Sequence, residues 1–252
     1  MTTLRDPDAL ISTEDLAARL GQPGLRVYDC TTYLEPPDPG SDDPYKAVSG
    51  LKTFVAGHVP GADFLDLQGE LSATDTRLKF TMPPAEQLAP AFGRHGLGDG
   101  ARVVLYSIGS MMWATRVWWM LRSLGFDGAA VLDGGFDRWQ AEGRPIEAGE
   151  PHGYPPAKFT PRVRAGHFVD KTAVRAAIGD PKTVTVNALG PQFHRGLEPS
   201  RPTELESTPP RRAGAAPRLD IEEVACKVGW NPTRWLGGRG QPNGDDDDHH
   251  RV

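Results

Sequence analysis

Two rhythms of apolar positions alternate along the first part of this chain. Arg102 to Tyr106, RVVLY, is a short β-branched run of the kind that forms a buried parallel strand, and Ile108-Gly109-Ser110 breaks it. From Met112 to Leu124 the residues Met112, Trp113, Val117, Met120, Leu121 and Leu124 recur at spacings of three and four, which predicts an amphipathic helix stopped by Gly125. Ala129 to Leu132 predicts a second strand, so the stretch reads as a βαβ unit. Its loop leaves a strand's carboxyl end and faces a helix N-terminus, the place where open α/β sheets receive ligands.

The same alternation precedes and follows this unit. Ser12 or Thr13 caps a first helix, STEDLAARLG, and Leu25 to Cys30 reads as a strand. Residues 31–50, rich in Pro, Asp and Gly, read as a long irregular excursion. The turn His58-Val59-Pro60-Gly61 feeds a short strand at Ala62 to Phe64. Ala85 to His95 and Phe136 to Glu142 predict two more helices, followed by a Pro-rich link at 145–156. Strands alternating with helices predict an α/β fold with a parallel sheet covered on both faces.

Composition changes this picture at one point. In 252 residues there are 29 Gly and 24 Pro against 38% hydrophobic residues, so part of the chain is not expected to fold. A net charge of -5 gives no sign of a nucleic-acid or anionic-membrane partner. No apolar run is long enough to span a bilayer, and MTTLRDPDALIST lacks the plan of a signal peptide; a cytoplasmic location is the default expectation. Cys30 and Cys226, without CxxC spacing, suggest neither a disulfide framework nor a zinc site.

The chemistry turns on Ser107, the first residue after the central strand. A thiol there would be activated by the helix end, whereas a serine needs a general base, and neither His nor Asp lies in the loop. Ser107 therefore reads as a structural loop residue rather than a nucleophile. Cys30 lies at the same sheet edge and is read first as a small buried hydrophobe, with a redox or sulfur-accepting role as the alternative. Cys226 stands in a poorly patterned tail, and Asp245 to Asp248 with His249 and His250 read as a solvated charge run. Trp113, Trp118 and Trp119 read as packing residues.

Three segments in order, AGHVPGA (Ala56 to Ala62), VVLYSIGSMMWATR and VLDGGFDRWQAEGRP (Val131 to Pro145), resemble the signature segments and active loop of the rhodanese family of sulfurtransferases. The resemblance covers residues 10–148. It implies a parallel sheet flanked by helices on both faces. It also implies transfer of a sulfane sulfur from thiosulfate or mercaptopyruvate to a loop cysteine and on to a thiophilic acceptor, with no metal or organic cofactor. The family's cysteine position is occupied here by Ser107, so no catalytic residue is assigned. Tandem members typically lack the cysteine in their N-terminal half, and Arg116 to Arg122, RVWWMLR, resembles the helix of such halves. Ser107, Ile108, Gly109, Ser110, Met111, Met112 and Arg116 form a candidate anion loop, in which Gly109 curves the backbone, the helix dipole adds positive potential and Arg116, one turn into the helix, adds a charge; the resemblance implies a small sulfur-containing anion as its ligand. An interdomain face left exposed would favour self-association or a partner protein. The competing reading is a catalytically silent module that binds an anion or a protein through this loop; a phosphatase of the related cell-cycle type also requires the missing cysteine.

Beyond a linker at 149–157, residues 158–201 resemble the opening of a second, incomplete domain, with a helix at Lys171 to Ile178 and a strand at Thr183 to Asn187. Where the family places Asp-x-Arg this chain has Asn187-Ala188-Leu189. Arg195, near the family's substrate arginine and followed by Glu198-Pro199, is either a substrate contact or a solvated loop residue. Residues 202–252 show no second strand–loop–helix unit and are expected to be a disordered tail. Degeneration of the catalytic half, or a reading-frame shift near Ser200, is the expected origin of this pattern.

Overall fold

Val103 and Leu105 leave the central strand on one side and Val104 and Tyr106 on the other, and each pair meets a different apolar layer. This two-faced strand is β6, Arg102–Tyr106, and the computed structural model describes the chain over residues 7–186 except positions 42, 44 and 77. Four further strands run parallel with it: β1 (Leu10–Ile11), β2 (Leu25–Asp29), β5 (Asp63–Phe64) and β7 (Ala129–Leu132), in the spatial order β1-β7-β6-β2-β5. The helices α3 (Ala85–Arg94) and α4 (Met112–Ser123) cover one face, burying Leu88, Phe92, Val117, Met120 and Leu121. On the other face α1 (Thr13–Ala17), α2 (Leu51–Ala56) and α5 (Gly135–Ala141) bury Leu16, Phe54, Phe136 and Trp139. The expected α/β sheet with helices on both faces is present, and Ser12 caps α1 by accepting a hydrogen bond from the Asp15 amide at 3.0 Å. Among the described residues no helix is long and apolar enough to cross a membrane.

Three expectations require correction. Residues 31–50 are not irregular throughout. They hold an antiparallel hairpin, β3 (Thr32–Glu35) with β4 (Lys46–Ser49), in the register Thr32 opposite Ser49 and Glu35 opposite Lys46. The strands are short and separated by a breaker-rich loop, so local pattern hides them; their pairing is closed by Gly50, whose amide donates to the Thr31 carbonyl at 2.9 Å. A Cβ on Gly50 would lie 2.4 Å from that oxygen.

The second correction concerns the presumed linker. Residues 145–168 run as an extended belt across the first domain, and the compact unit they complete continues to Phe168. The belt starts with a reciprocal pair of backbone hydrogen bonds between His58 and Glu147, at 2.8 and 3.0 Å. The Tyr154 hydroxyl accepts from the Val27 amide at 3.0 Å and donates to the Gly61 carbonyl at 2.6 Å. Further along, Arg162 and Arg164 donate backbone hydrogen bonds to Leu124 and Ser123 at 2.6 and 2.7 Å. Phe159 enters the core between Phe92 and Phe126, with ring centroids 5.5 and 5.7 Å away. Backbone approaches this close need glycine on the receiving surface. A Cβ on Gly93, Gly96 or Gly125 would fall 2.5–2.7 Å from Ala157, Tyr154 or Arg162.

The third correction is the strand expected at Thr183 to Asn187. Its described part, 183–186, is not in a sheet, because Thr183 is held in a turn by its amide and hydroxyl donating to Asp180 at 3.0 and 2.6 Å. The preceding helix is found as α6 (Lys171–Ala177), capped by the Asp170 carboxylate accepting from the Ala173 amide at 2.8 Å. Arg195, Cys226 and the charge run from Asp245 to His250 lie outside the described residues.

Candidate functional site

The loop from Ser107 to Met112 joins β6 to α4 at the carboxyl edge of the sheet, with Gly109 at φ 71° bending it. Ser107 is 1% exposed, and its hydroxyl donates to the Ser110 carbonyl at 2.6 Å. A hydroxyl so engaged, with no imidazole or carboxylate accepting its proton, staples the loop to itself.

Four of the loop amides are engaged as well. Ile108 donates to Thr31 Oγ1 at 3.0 Å, Gly109 to Asp137 Oδ2 at 2.6 Å, Ser110 to the Ile108 carbonyl at 2.8 Å and Met112 to Ser110 Oγ at 3.3 Å. Arg116, expected to lend the loop a charge, points elsewhere. It is half-buried, donates from Nη2 to the Phe80 carbonyl at 2.5 Å and lies over the Phe168 ring at 5.4 Å. The reason is the strap bearing Phe80. That residue is held at φ 60° with its ring against Trp113, and its carbonyl faces the helix within reach of Arg116. Burial pushes the Arg116 guanidinium down from its ordinary range. Met111 packs on the core while Met112 remains 50% exposed.

Two neighbouring segments hold the loop in place. The first is the turn after β7: the Ser107 carbonyl accepts from the Phe136 amide at 3.3 Å, and Gly135, at φ 59°, passes so close that a Cβ would lie 2.5 Å from that oxygen. The glycine pair of VLDGG thus allows backbone to touch backbone. Gly135→Ala is expected to destabilise the fold by about 2 kcal/mol in urea unfolding, through both contact and left-handed φ; an unchanged midpoint would show that the loop yields freely.

The second is the end of β2. Asp29 is wholly buried, and its Oδ1 accepts from the Thr31 amide at 2.8 Å and from the Thr31 hydroxyl, whose oxygen in turn receives the Ile108 amide. Oδ2 has no hydrogen bond of good geometry. Burial pushes the Asp29 carboxyl up to about 6, opposed by the Thr31 donors and the nearby Tyr106 hydroxyl. Cys30 is fully buried, and desolvation raises its thiol well above the ordinary range, as suits a small core residue rather than a sulfur carrier.

Asp29, Thr31 and Asp137 were not singled out from sequence. The available signals were an acidic residue closing an apolar strand and a carboxylate in the first turn of a helix. Two concavities lie away from the loop. One of about 330 Å3 is lined by Asp15, Arg19, Arg102 and Asp127 at the amino ends of the strands; another of about 360 Å3 is lined by Arg26, Pro60, His152 and Tyr154. That is the edge opposite to the one where α/β sheets present catalytic loops, so neither is taken as the site.

Comparison with known proteins places this architecture. Residues 12–142 match the Rhodanese-like domain family. A probable 3-mercaptopyruvate sulfurtransferase of Pseudomonas aeruginosa is 33% identical over 198 residues, covering 77% of this chain and 66% of that protein. The thiosulfate sulfurtransferase of Bos taurus is 36% identical over 158 residues, covering 60% of this chain and 49% of that protein. Among solved structures, the 3-mercaptopyruvate sulfotransferase SseA of Escherichia coli superposes with a TM-score of 0.63 at 24% identity, over 80% of this chain and 71% of that one. The 3-mercaptopyruvate sulfurtransferase of Leishmania major gives a TM-score of 0.57 at 25% identity, over 75% and 49%. The chain thus spans between half and two thirds of the length of these curated relatives.

Proposed function

This chain belongs to the rhodanese family, and from that premise we propose that residues 10–148 with their belt are the non-catalytic half of a tandem thiosulfate or 3-mercaptopyruvate sulfurtransferase, inactive in sulfur transfer by itself. One observation carries the reading: the residue at the head of the loop is a buried serine whose hydroxyl is spent on the Ser110 carbonyl. Sulfane transfer needs a thiolate that attacks the outer sulfur of the donor and holds it as a persulfide. Neither the staple at Ser107 nor the desolvated thiol of Cys30 supplies one. In this proposal the second domain opens after the belt, at residues 169–201, with Arg195 as its candidate substrate contact. The natural substrate of the family unit is a small sulfur-containing anion, and its setting is the cytoplasm.

The competing reading, a silent module that binds a partner protein, is favoured by Met112, half exposed beside a loop four of whose amides are occupied. A sulfur-transfer assay on the purified chain separates these from a working enzyme. With thiosulfate or mercaptopyruvate as donor and cyanide as acceptor, turnover stays at background. A rate that disappears on Cys30→Ala, Cys226→Ala or Ser107→Ala would instead identify a nucleophile and end this proposal.

A further inference from the structure

We propose that Asp137 is a built-in anion for the loop Ser107 to Met112, occupying the Gly109 amide and keeping anionic sulfur donors out. The inference deepens the reading of the chain as a non-catalytic half and rests on it.

The backbone positions the exposed side chain that makes this contact. Gly135 abuts the Ser107 carbonyl and the Phe136 amide donates to it, so the first turn of α5 is tied to the loop and brings Asp137 Oδ2 to 2.6 Å from the Gly109 nitrogen. A charged acceptor on an amide makes a stronger hydrogen bond than a neutral one, and a carboxylate in the first turn of a helix is favoured by the helix field. The other engaged loop donors meet neutral acceptors: the Thr31 hydroxyl, the Ile108 carbonyl and the Ser110 hydroxyl. Asp137 therefore brings the one full charge among them.

No cation offsets that charge among the described residues. Arg138, next to it in sequence, is turned to Asp133 and Glu142 at 2.6 and 2.8 Å, and Arg116 is fixed on the Phe80 carbonyl. A doubly charged thiosulfate approaching the loop meets a carboxylate where it would need a free amide. Loss of the thiol and occupation of the donor are thus two separate barriers.

Amide resonances of Ile108 to Met112 in the full chain, followed during titration with sodium thiosulfate and with sodium sulfate at constant ionic strength, test this. The parent amides are expected to stay in place up to millimolar anion. Asp137→Ala frees the Gly109 amide, and its resonances should then move saturably with either anion, while added formate returns the Gly109 signal toward its parent position. If Asp137→Ala melts under the assay conditions, Asp137→Leu decides, since it removes both the acceptor and the charge at similar size: a thiosulfate response there supports the proposal and silence overturns it. Parent amides that respond over the same range as the Ala variant would also overturn it. The outcome is independent of turnover. Anion binding by the inactive parent would remove the role of Asp137 and leave the proposed function intact, whereas turnover with an unresponsive loop would do the reverse.

Discussion

A chain ending at residue 148 is expected not to unfold cooperatively, and one ending at residue 168 is expected to do so. The shorter chain keeps every strand and the five helices that flank the sheet but loses the belt beyond residue 148. Phe92 and Phe126 then lose the ring of Phe159, which is 7% exposed, and the Val27 amide loses the Tyr154 hydroxyl. Truncating one buried phenylalanine costs about 3–5 kcal/mol, and each buried backbone group left without its partner adds about 1–3 kcal/mol. The sum is comparable with the whole stability of a domain, about 5–15 kcal/mol. Tryptophan fluorescence during urea unfolding reads the result. Within the full chain Phe159→Ala alone should lower stability by about 3–5 kcal/mol. Equal midpoints for chains ending at 148 and 168 would mean that the belt merely lies on a finished domain.

Asp29→Asn is expected to stabilise the protein at neutral pH and not in acid. The folded-state value of this carboxyl is raised to about 6 from an ordinary 3.8, so between those values the folded chain holds the proton more tightly than the unfolded chain. The protonated form therefore favours folding below about pH 4, and that contribution is lost as pH rises through about 6. A gap of about two pH units corresponds to about 3 kcal/mol against the folded state at pH 7. Asparagine keeps an oxygen for the two Thr31 donors and places an NH2 where Oδ2 lacks a good partner. Because the bonds from Thr31 weaken when their acceptor is neutral, the net gain should be about 1–3 kcal/mol at pH 7 to 8, vanishing by pH 4. Urea midpoints of parent and variant across that range measure it, and a difference that does not vary with pH would refute the assignment of the shift to Asp29. The substitution also touches the loop, since Thr31 links Asp29 to the Ile108 amide; the Ile108 resonance should shift while those of β7 remain in place.

The sheet was legible because its strands carry their own signal. RVVLY at 102–106 and AAVL at 129–132 are buried on both faces and read as continuous apolar runs, and α4 between them shows helical spacing up to a glycine stop. The three signature segments could be ordered around this unit for the same reason. The glycines of VLDGG were visible as a turn, but not as the surface on which the Ser107 carbonyl rests.

What escaped the sequence depends on partners far along the chain. The hairpin at 32–49 exists only through cross-strand pairing, and the belt looked like a linker because extended, proline-rich segments have no periodicity of their own. Its seat consists of glycines at 93, 96 and 125, whose function appears only when Tyr154, Ala157 and Arg162 lie against them. Arg116 illustrates the same limit in charge: helical spacing puts it one turn from the loop, yet the Phe80 carbonyl claims it. Local pattern therefore determined the fold class, the central βαβ unit and the absence of a thiol at the head of its loop, since propensity, periodicity and residue identity are properties of neighbours in sequence. Tertiary structure alone decided which acceptors fill the loop amides, where the domain ends and how strongly Asp29 is perturbed, because hydrogen bonding and desolvation are set by whatever the folded chain brings within a few ångströms.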